Sequence, residues 1–190
     1  MKKIIAFALF GLTALGASAE KADAGKQAVI DYSTLSVDEV TQTSILAGDV
    51  IVTKGTLVLR AEKATVKKTP DEDMLVTLNA GAGKLATFRQ KRDGGPDLWV
   101  EGEAQRIEYD ERTAIMKLFG NAKIRQSEGN RTTDEIQSEY ISYDSLREVF
   151  TAHNEASGAS KTGGARGRMI IAPRKPRPAP AAAAPSASAP

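Results

Sequence analysis

The stretch that decides the fold lies at residues 48–60, which read Gly-Asp-Val-Ile-Val-Thr-Lys-Gly-Thr-Leu-Val-Leu-Arg. Apolar residues occupy every second position at Val50 and Val52, and again at Leu57 and Leu59 beyond a Lys-Gly turn. Successive side chains of a β-strand point to opposite faces, so this period is typical of a strand with one apolar face. The stretch therefore predicts two strands separated by a turn.

The same alternation recurs from about residue 27 to residue 152. Its other apolar members are Ile30 and Tyr32, Val76 and Leu78, Ile107 and Tyr109, Met116 and Leu118, Ala122 and Ile124, and then Ile136 and Tyr143. Turn signals such as Asp-Gly-Gly-Pro at 93–96 separate the runs. Residues 60–68 have a helix-compatible composition, but Thr65 and Val66 and their place in the series favour a strand. The sequence predicts an all-β fold of short antiparallel or stacked strands.

A weak internal repeat accompanies this pattern. Gly48-Asp49 and Gly120-Asn121 each lie between two strand-like runs, and Gly102-Glu103 is a looser third copy. Glycine permits a positive φ or a sharp corner in a strand. A sheet whose strands bend at such positions can roll into a trough, so we expect a corner at each copy.

The N-terminal residues 1–19 predict a cleavable secretory signal peptide. Lys2 and Lys3 precede an apolar run at residues 4–15, and Ala-Ser-Ala follows at 17–19. The apolar run is shorter than the roughly 20 residues that span a bilayer. We therefore expect an exported, periplasmic chain that begins near Glu20, without disulfides because the sequence has no cysteine.

The C-terminal part differs in composition from the body, which we place at residues 20–155. Residues 156–172 are glycine-rich and predict a flexible segment, within which Met-Ile-Ile at 169–171 is a possible last strand or docking strand. Residues 173–190 are rich in proline and alanine and predict an extended, disordered tail.

The charge distribution argues against nucleic acid as a partner. Two of the 26 basic residues lie in the predicted signal peptide and six lie at Lys161 or later, which leaves 18 in the body against 24 acidic residues. Binding to nucleic acid depends on neutralising phosphates, and an acidic body does not provide this.

The residues offer little for catalysis or for a cofactor. His153 is the single histidine and lies at the edge of the predicted domain, and the absence of cysteine excludes thiol nucleophiles and thiolate metal sites. No glycine-rich phosphate loop is present, so we expect no cofactor. The alternative is a glycan hydrolase that uses Glu108 and Asp110, which share one strand face. The acidic run 101–111 instead favours a solvated sheet face, and we predict that the protein is not an enzyme.

Three segments between residues 84 and 126 carry a resemblance to a known family. They read Lys-Leu-Ala-Thr-Phe-Arg-Gln-Lys-Arg-Asp-Gly-Gly-Pro at 84–96, Val-Glu-Gly-Glu-Ala-Gln-Arg-Ile-Glu-Tyr at 100–109 and Leu-Phe-Gly-Asn-Ala-Lys-Ile-Arg-Gln at 118–126. Together with residues 48–63, they resemble the OstA-like family of periplasmic lipopolysaccharide-transport proteins. The resemblance covers about residues 27–152, and Ala-Thr-Phe-Arg-Gln at 86–90 is among its most specific pieces.

The resemblance implies a twisted, open β-jellyroll of stacked antiparallel strands. Such proteins associate end to end by strand pairing and also pair with an inner-membrane LptC-like and an outer-membrane LptD-like partner. An exposed strand edge presents unpaired N–H and C=O groups that can template another chain, which agrees with this implication. The resemblance further implies that the apolar interior carries the acyl chains of lipid A, and thus a bridge protein for lipopolysaccharide.

The positions that the resemblance and the alternation assign to this lipid-binding groove form one set of ten. They are Phe88 and Tyr109 in the matching motifs, Ile30 near the N-terminal edge, and by alternation Val50, Val52, Leu57, Leu59, Met116, Leu118 and Ile124. Alternating apolar residues are ordinary core in most β proteins, and that interpretation stays open for each. The corresponding alternative function is a structural adaptor that links envelope proteins by strand pairing without binding lipid.

Two features depart from the family pattern. Asp-Leu-Trp at 97–99 lengthens the hairpin before Val100, and the Pro/Ala-rich tail has no counterpart that the resemblance explains.

Overall fold

The computed structural model of the chain describes residues 23, 25–95 and 97–173, so the predicted signal peptide and all but Pro173 of the predicted tail lie outside the described residues. Within them the chain forms twelve strands. These are β1 (Ala28–Asp31), β2 (Thr34–Asp38), β3 (Thr43–Lys54), β4 (Leu57–Lys68), β5 (Met74–Asn79), β6 (Ala86–Lys91), β7 (Leu98–Ala104), β8 (Arg106–Asp110), β9 (Ile115–Glu128), β10 (Arg131–Asp144), β11 (Val149–His153) and β12 (Arg168–Ile171). The predicted all-β class is confirmed, and all pairings are antiparallel.

Four long strands, β3, β4, β9 and β10, take part in both layers of the sheet. One half of each long strand pairs with the strands of the first layer, and the other half pairs with the strands of the second. The first layer has the order β1-β3-β4-β6-β7-β9-β10-β12 and uses residues 50–54, 57–60, 123–128 and 131–137 of the long strands. The second layer has the order β2-β3-β4-β5-β8-β9-β10-β11 and uses residues 43–47, 63–68, 115–119 and 140–144. The result is a rolled jellyroll that is joined along its bend and has its strand ends on the opposite, long edge.

The bend is set by two Gly-polar pairs. Gly48 and Asp49 have φ of 85° and 46°, and Gly120 and Asn121 have φ of 74° and 50°. The register shifts beside each pair, between Ala47 and Val50 on β3 and opposite the second pair on β10. A left-handed pair with a register shift turns the strand sharply, so the predicted corners are confirmed at these two copies.

The third copy of the repeat does not form a corner, and the expectation there is wrong. Gly102 lies inside β7 in ordinary extended backbone and pairs with Phe88 and Ile124 on its two neighbours. A Cβ at this position would overlap Cε1 of Phe88 and lie 3.0 Å from Cδ2 of Leu118. Glycine is required here for space and not for its backbone freedom.

The core lies between the two layers and takes side chains from both. Its members are Leu46, Val50, Val52, Leu57, Leu59, Ala61, Ala64, Val66, Val76, Leu78, Ala86, Phe88, Val100, Ala104, Ile107, Met116, Leu118, Ala122, Ile124, Ile141 and Tyr143. Each large member contributes about 1.5–3 kcal/mol by leaving water. The alternating apolar residues of the sequence therefore stabilise the two-layered sheet, because they are buried between its layers.

In the described part of the chain, the two ends of the rolled sheet are unpaired edges. β1 and β2 form the N-terminal end, and β11 and β12 form the C-terminal end. Among the described residues, eleven of the thirteen exposed large apolar side chains lie at these ends. They are Val29, Tyr32, Leu35, Val37, Val40 and Ile45 at the first end and Leu146, Val149, Met169, Ile170 and Ile171 at the second. Open backbone edges and exposed apolar side chains thus coincide.

Candidate functional site: the space between the two layers

The ten residues predicted for the groove all meet in the space between the layers. Eight of them are at most 3% exposed, namely Val50, Val52, Leu57, Leu59, Phe88, Met116, Leu118 and Ile124. Ile30 and Tyr109 are partly buried and pack against this cluster. Side chains buried to this degree are close-packed, so a ligand can lie among them only if the two layers separate.

An apolar cavity of about 440 Å³ opens at the N-terminal end of this space. Its apolar lining includes Ile30, Leu35, Val37, Leu46, Val66 and Met74. Leu46 and Val66 belong to the core cluster, and Leu35 and Val37 belong to the exposed edge. The cavity therefore connects the sealed interior to the surface at the first end.

A buried ion pair joins the two layers at the long edge opposite the bend. Lys54 ends β3 in the first layer, Glu111 follows β8 in the second, and Nζ of Lys54 contacts Oε1 of Glu111. The second carboxylate oxygen accepts a hydrogen bond from the backbone N–H of Met74 at 2.8 Å. Burial lowers the pKa of Lys54, while the attraction of Asp73 and Asp23 acts in the opposite direction.

A second ion pair joins the layers further along the same edge. Nη2 of Arg92, which follows β6 in the first layer, lies 2.8 Å from Oε2 of Glu148 in the β10–β11 turn. The two side chains are 16% and 38% exposed. Nε of Arg92 is buried and has no hydrogen-bond partner within the described part of the chain. Both pairs have the cation in the first layer and the carboxylate in the second.

A buried polar cluster lies beside Lys54. The carboxylate of Asp23, 5% exposed, accepts hydrogen bonds from the backbone N–H of Thr56 (2.8 Å), from Thr56 Oγ1 (2.6 Å) and from Nε2 of Gln90 (3.4 Å). Burial raises the pKa of Tyr109 to about 12, with Asp23 and Asp110 contributing in the same direction. This end of the interior is thus lined by polar groups that already have partners.

The residues of the hydrolase alternative have structural partners. Glu108 lies 3.4 Å from Arg106, and Asp110 Oδ1 accepts a hydrogen bond from the backbone N–H of Thr113 at 3.2 Å. His153 Nδ1 lies 2.8 Å from Ser160 Oγ at the exposed C-terminal end. Across the residues that the structure describes, no group of His, Asp and Glu side chains is arranged to hold a metal ion.

The two ion pairs were not predicted from the sequence, although its alternation carried a signal for three of their four members. Lys54 continues the series of Val50 and Val52, and Glu111 continues that of Tyr109. Arg92 likewise follows Phe88 in steps of two. The acidic run 101–111 was assigned to a solvated face, and this is wrong for Glu111, which points to the interior with an exposure of 14%. The charge of Glu111 suggested a solvent-exposed position, whereas its spacing of two residues from Tyr109 indicated that it faces the interior.

Comparison with known proteins gives a consistent result. Residues 30–149 match the family model described as LptA/(LptD N-terminal domain) LPS transport protein. The chain is 34% identical over 107 residues to lipopolysaccharide export system protein LptA of Escherichia coli (strain K12), and the alignment covers 56% of each chain. The match thus spans about half the length of that relative.

Two further comparisons cover more of the chain. Lipopolysaccharide export system protein LptH of Pseudomonas aeruginosa is 28% identical over 171 residues, which are 88% of this chain and 93% of that one. The crystal structure of LptH, described as the LptA-homologous periplasmic component of the lipopolysaccharide transport device, superposes with a TM-score of 0.69. It has 22% identity and covers 80% of this chain and 99% of that chain. The jellyroll fold is therefore shared. No helix within the described ranges is long and apolar enough to cross a membrane.

Proposed function

This chain belongs to the LptA/LptD N-terminal domain family of lipopolysaccharide transport proteins, and we propose that it carries lipopolysaccharide across the periplasm between the two layers of its sheet. The observation that carries this proposal is the apolar interior, a continuous cluster of buried side chains against which Ile30 of β1 and Phe150 of β11 pack. Acyl chains gain about 0.8 kcal/mol for each methylene that leaves water, so such an interior suits them without any catalytic group.

In this proposal the ten interior residues contact the acyl chains while the sugar portion stays outside. The cavity beside Ile30 supports entry at the N-terminal end, because it leads from exposed side chains to core side chains. The signal-like N-terminus and the periplasmic description of the related LptH support a periplasmic location.

The two ends of the sheet support a bridge that is built from several proteins. Their unpaired edges and exposed apolar side chains suit strand pairing with a second copy of this chain, an inner-membrane LptC-like partner or an outer-membrane LptD-like partner. Exposed apolar groups of this kind, gathered at an edge, mark interaction surfaces.

A photo-crosslinking experiment in the host cell tests the lipid assignment. A photoreactive phenylalanine analogue replaces Phe88 in one variant and its neighbour Arg89 in the matched control. Phe88 is 2% exposed and faces the interior, whereas Arg89 is exposed on the outer face of the same strand. We expect adducts with lipopolysaccharide from position 88 and not from position 89.

Equal labelling at both positions, or none at either, would contradict the lipid assignment. In that case the interior would be an ordinary core, and the exposed ends would favour a structural adaptor that links envelope proteins without lipid.

A further inference from the structure

The two ion pairs between the layers form what we name the clasp: Lys54 with Glu111 and Arg92 with Glu148. Both cross the long edge at which strand ends of the first layer face strand ends of the second. On the opposite side the layers are continuous through the bends of the long strands. Opening of the interior along its length therefore requires the clasp to break.

The clasp has a fixed polarity. Lys54 and Arg92 are the members from the first layer, and Glu111 and Glu148 are those from the second. Separation of the layers would leave the two clasp cations on one rim and the two clasp carboxylates on the other. The two freed cations would then be available to an anion, although Asp23 beside Lys54, and Asp93 and Asp97 in the turn that contains Arg92, reduce the net charge of this rim.

Both cations have unused capacity for an anionic ligand. Within the described ranges, Nε of Arg92 is buried without a hydrogen-bond partner while Nη2 contacts Glu148, so the guanidinium can donate a further hydrogen bond to a second oxygen. Among the residues that the structure describes, Lys54 has one carboxylate within ion-pair distance for an ammonium group with three donors, and its side chain is 7% exposed. A phosphate monoester offers three acceptor oxygens and up to two charges, and can thus replace a carboxylate on either cation.

We propose that Lys54 and Arg92 bind the phosphate groups of an acylated sugar phosphate when the layers separate, in exchange for Glu111 and Glu148, while its acyl chains enter the interior. This inference rests on the proposed function, since lipid A carries phosphates on its sugars and acyl chains beside them. It assigns the residues that bind the headgroup. Without lipid, the clasp closes the interior; with lipid bound, Lys54 and Arg92 bind the phosphates of the headgroup.

Two matched substitutions separate this role from a purely structural one by the direction in which each changes lipid binding. Arg92→Gln and Glu148→Gln each remove one member of the same partly buried ion pair. If the pair only supports the fold, both substitutions change lipid binding in the same direction. If it exchanges partners, Glu148→Gln strengthens binding, because it frees the cation, and Arg92→Gln weakens it by about tenfold, the effect of one charge-assisted contact.

Equilibrium binding with two probes provides the measurement. The probes are bisphosphorylated lipid A in mild detergent and the same lipid A with both phosphates removed. We expect opposite effects of the two substitutions with the first probe and no tenfold loss for Arg92→Gln with the second. Changes of the same sign with bisphosphorylated lipid A overturn the inference and leave the proposed function standing. If the protein without substitutions binds neither probe, the proposed function itself is overturned.

A second measurement leaves the clasp intact, so it does not depend on how its variants fold. Spin labels at Asp97→Cys in the first layer and Arg147→Cys in the second lie beside Arg92 and Glu148, and both positions are exposed. The chain has no other cysteine, so labelling is confined to these two sites. We expect the distance between the labels to increase with bisphosphorylated lipid A and to stay unchanged with inorganic phosphate. An unchanged distance with the lipid, or the same increase with inorganic phosphate alone, overturns the inference.

Discussion

The interior and the two ends of the sheet use the same residue types in opposite ways. Between the layers, large apolar side chains such as Phe88 and Leu59 are at most 2% exposed, whereas at the ends Val37 and Ile171 are 50% and 69% exposed. The first group stabilises the isolated chain, because its surface has already left water. The second group contributes little to folding and is available to partners. The stability of the chain therefore rests on the interior, whereas the proposed association would use the two ends of the same sheet.

The largest effect is expected from a truncation in the interior. Phe88→Ala removes a ring that fills the space beside Gly102, and we expect a loss of about 3–5 kcal/mol in the free energy of unfolding. Leu35→Ala at the N-terminal edge is the control and should change it by about 0.5 kcal/mol or less. Urea unfolding followed by circular dichroism measures both. Similar losses at the two positions would show that interior and edge are not distinct.

A smaller effect is expected when the interior is overfilled. Gly102→Ala places a methyl group against Phe88 and Leu118, and such overpacking costs about 1–3 kcal/mol. In the double variant Gly102→Ala with Phe88→Leu, the smaller side chain leaves room for the methyl group. We expect it to be more stable than the sum of the two single changes predicts. If the losses in unfolding free energy of the two single variants simply add in the double variant, the contact between position 102 and Phe88 is contradicted.

The partly buried margin of the interior is expected to respond to alkaline pH. Burial raises the pKa of Tyr109 to about 12, above the ordinary value of 10.0. A raised pKa means that the folded chain retains the proton longer than the unfolded chain. The stability contributed by neutral Tyr109 is therefore complete below pH 10 and is lost as the pH rises to about 12.

The difference between the ultraviolet titrations of the unchanged chain and of Tyr109→Phe isolates this phenol. We expect the difference absorbance of phenolate to rise near pH 12. A midpoint near pH 10 would mean that Tyr109 is solvated and that the interior extends less far along β8 than its packing indicates.

The smallest effect on stability, with a clear effect on association, is expected at the ends. Val37→Lys and Ile170→Lys place charges on β2 and β12, whose apolar side chains are exposed, so the unfolding free energy should change by about 0.5 kcal/mol or less. Sedimentation velocity over a range of concentrations should show less self-association than for the unchanged chain, since charges on an edge oppose pairing. Leu75→Lys, at an exposed position on β5 away from the ends, is the control. Equal loss of association for Leu75→Lys would place the contact elsewhere.

Local pattern was sufficient for much of the fold. The period of two placed Val50, Val52, Leu57 and Leu59 on one face, and the pair Gly120-Asn121 indicated a corner. Both signals arise within a few residues of chain, because strand geometry alternates side chains and a left-handed pair bends a strand wherever it occurs. The sequence by itself thus determined the strands, their inward faces and two of the bends.

Only the tertiary structure decided which inward-facing residues meet. Lys54 and Glu111 are 57 positions apart, and their contact depends on the complete order of strands in both layers. The sequence around Gly102 is similar to that around the corner glycines, yet Gly102 is needed to leave space for Phe88 from a neighbouring strand. Such contacts depend on register and on the path of the whole sheet, and a period of two residues carries no information about the strand on the other side.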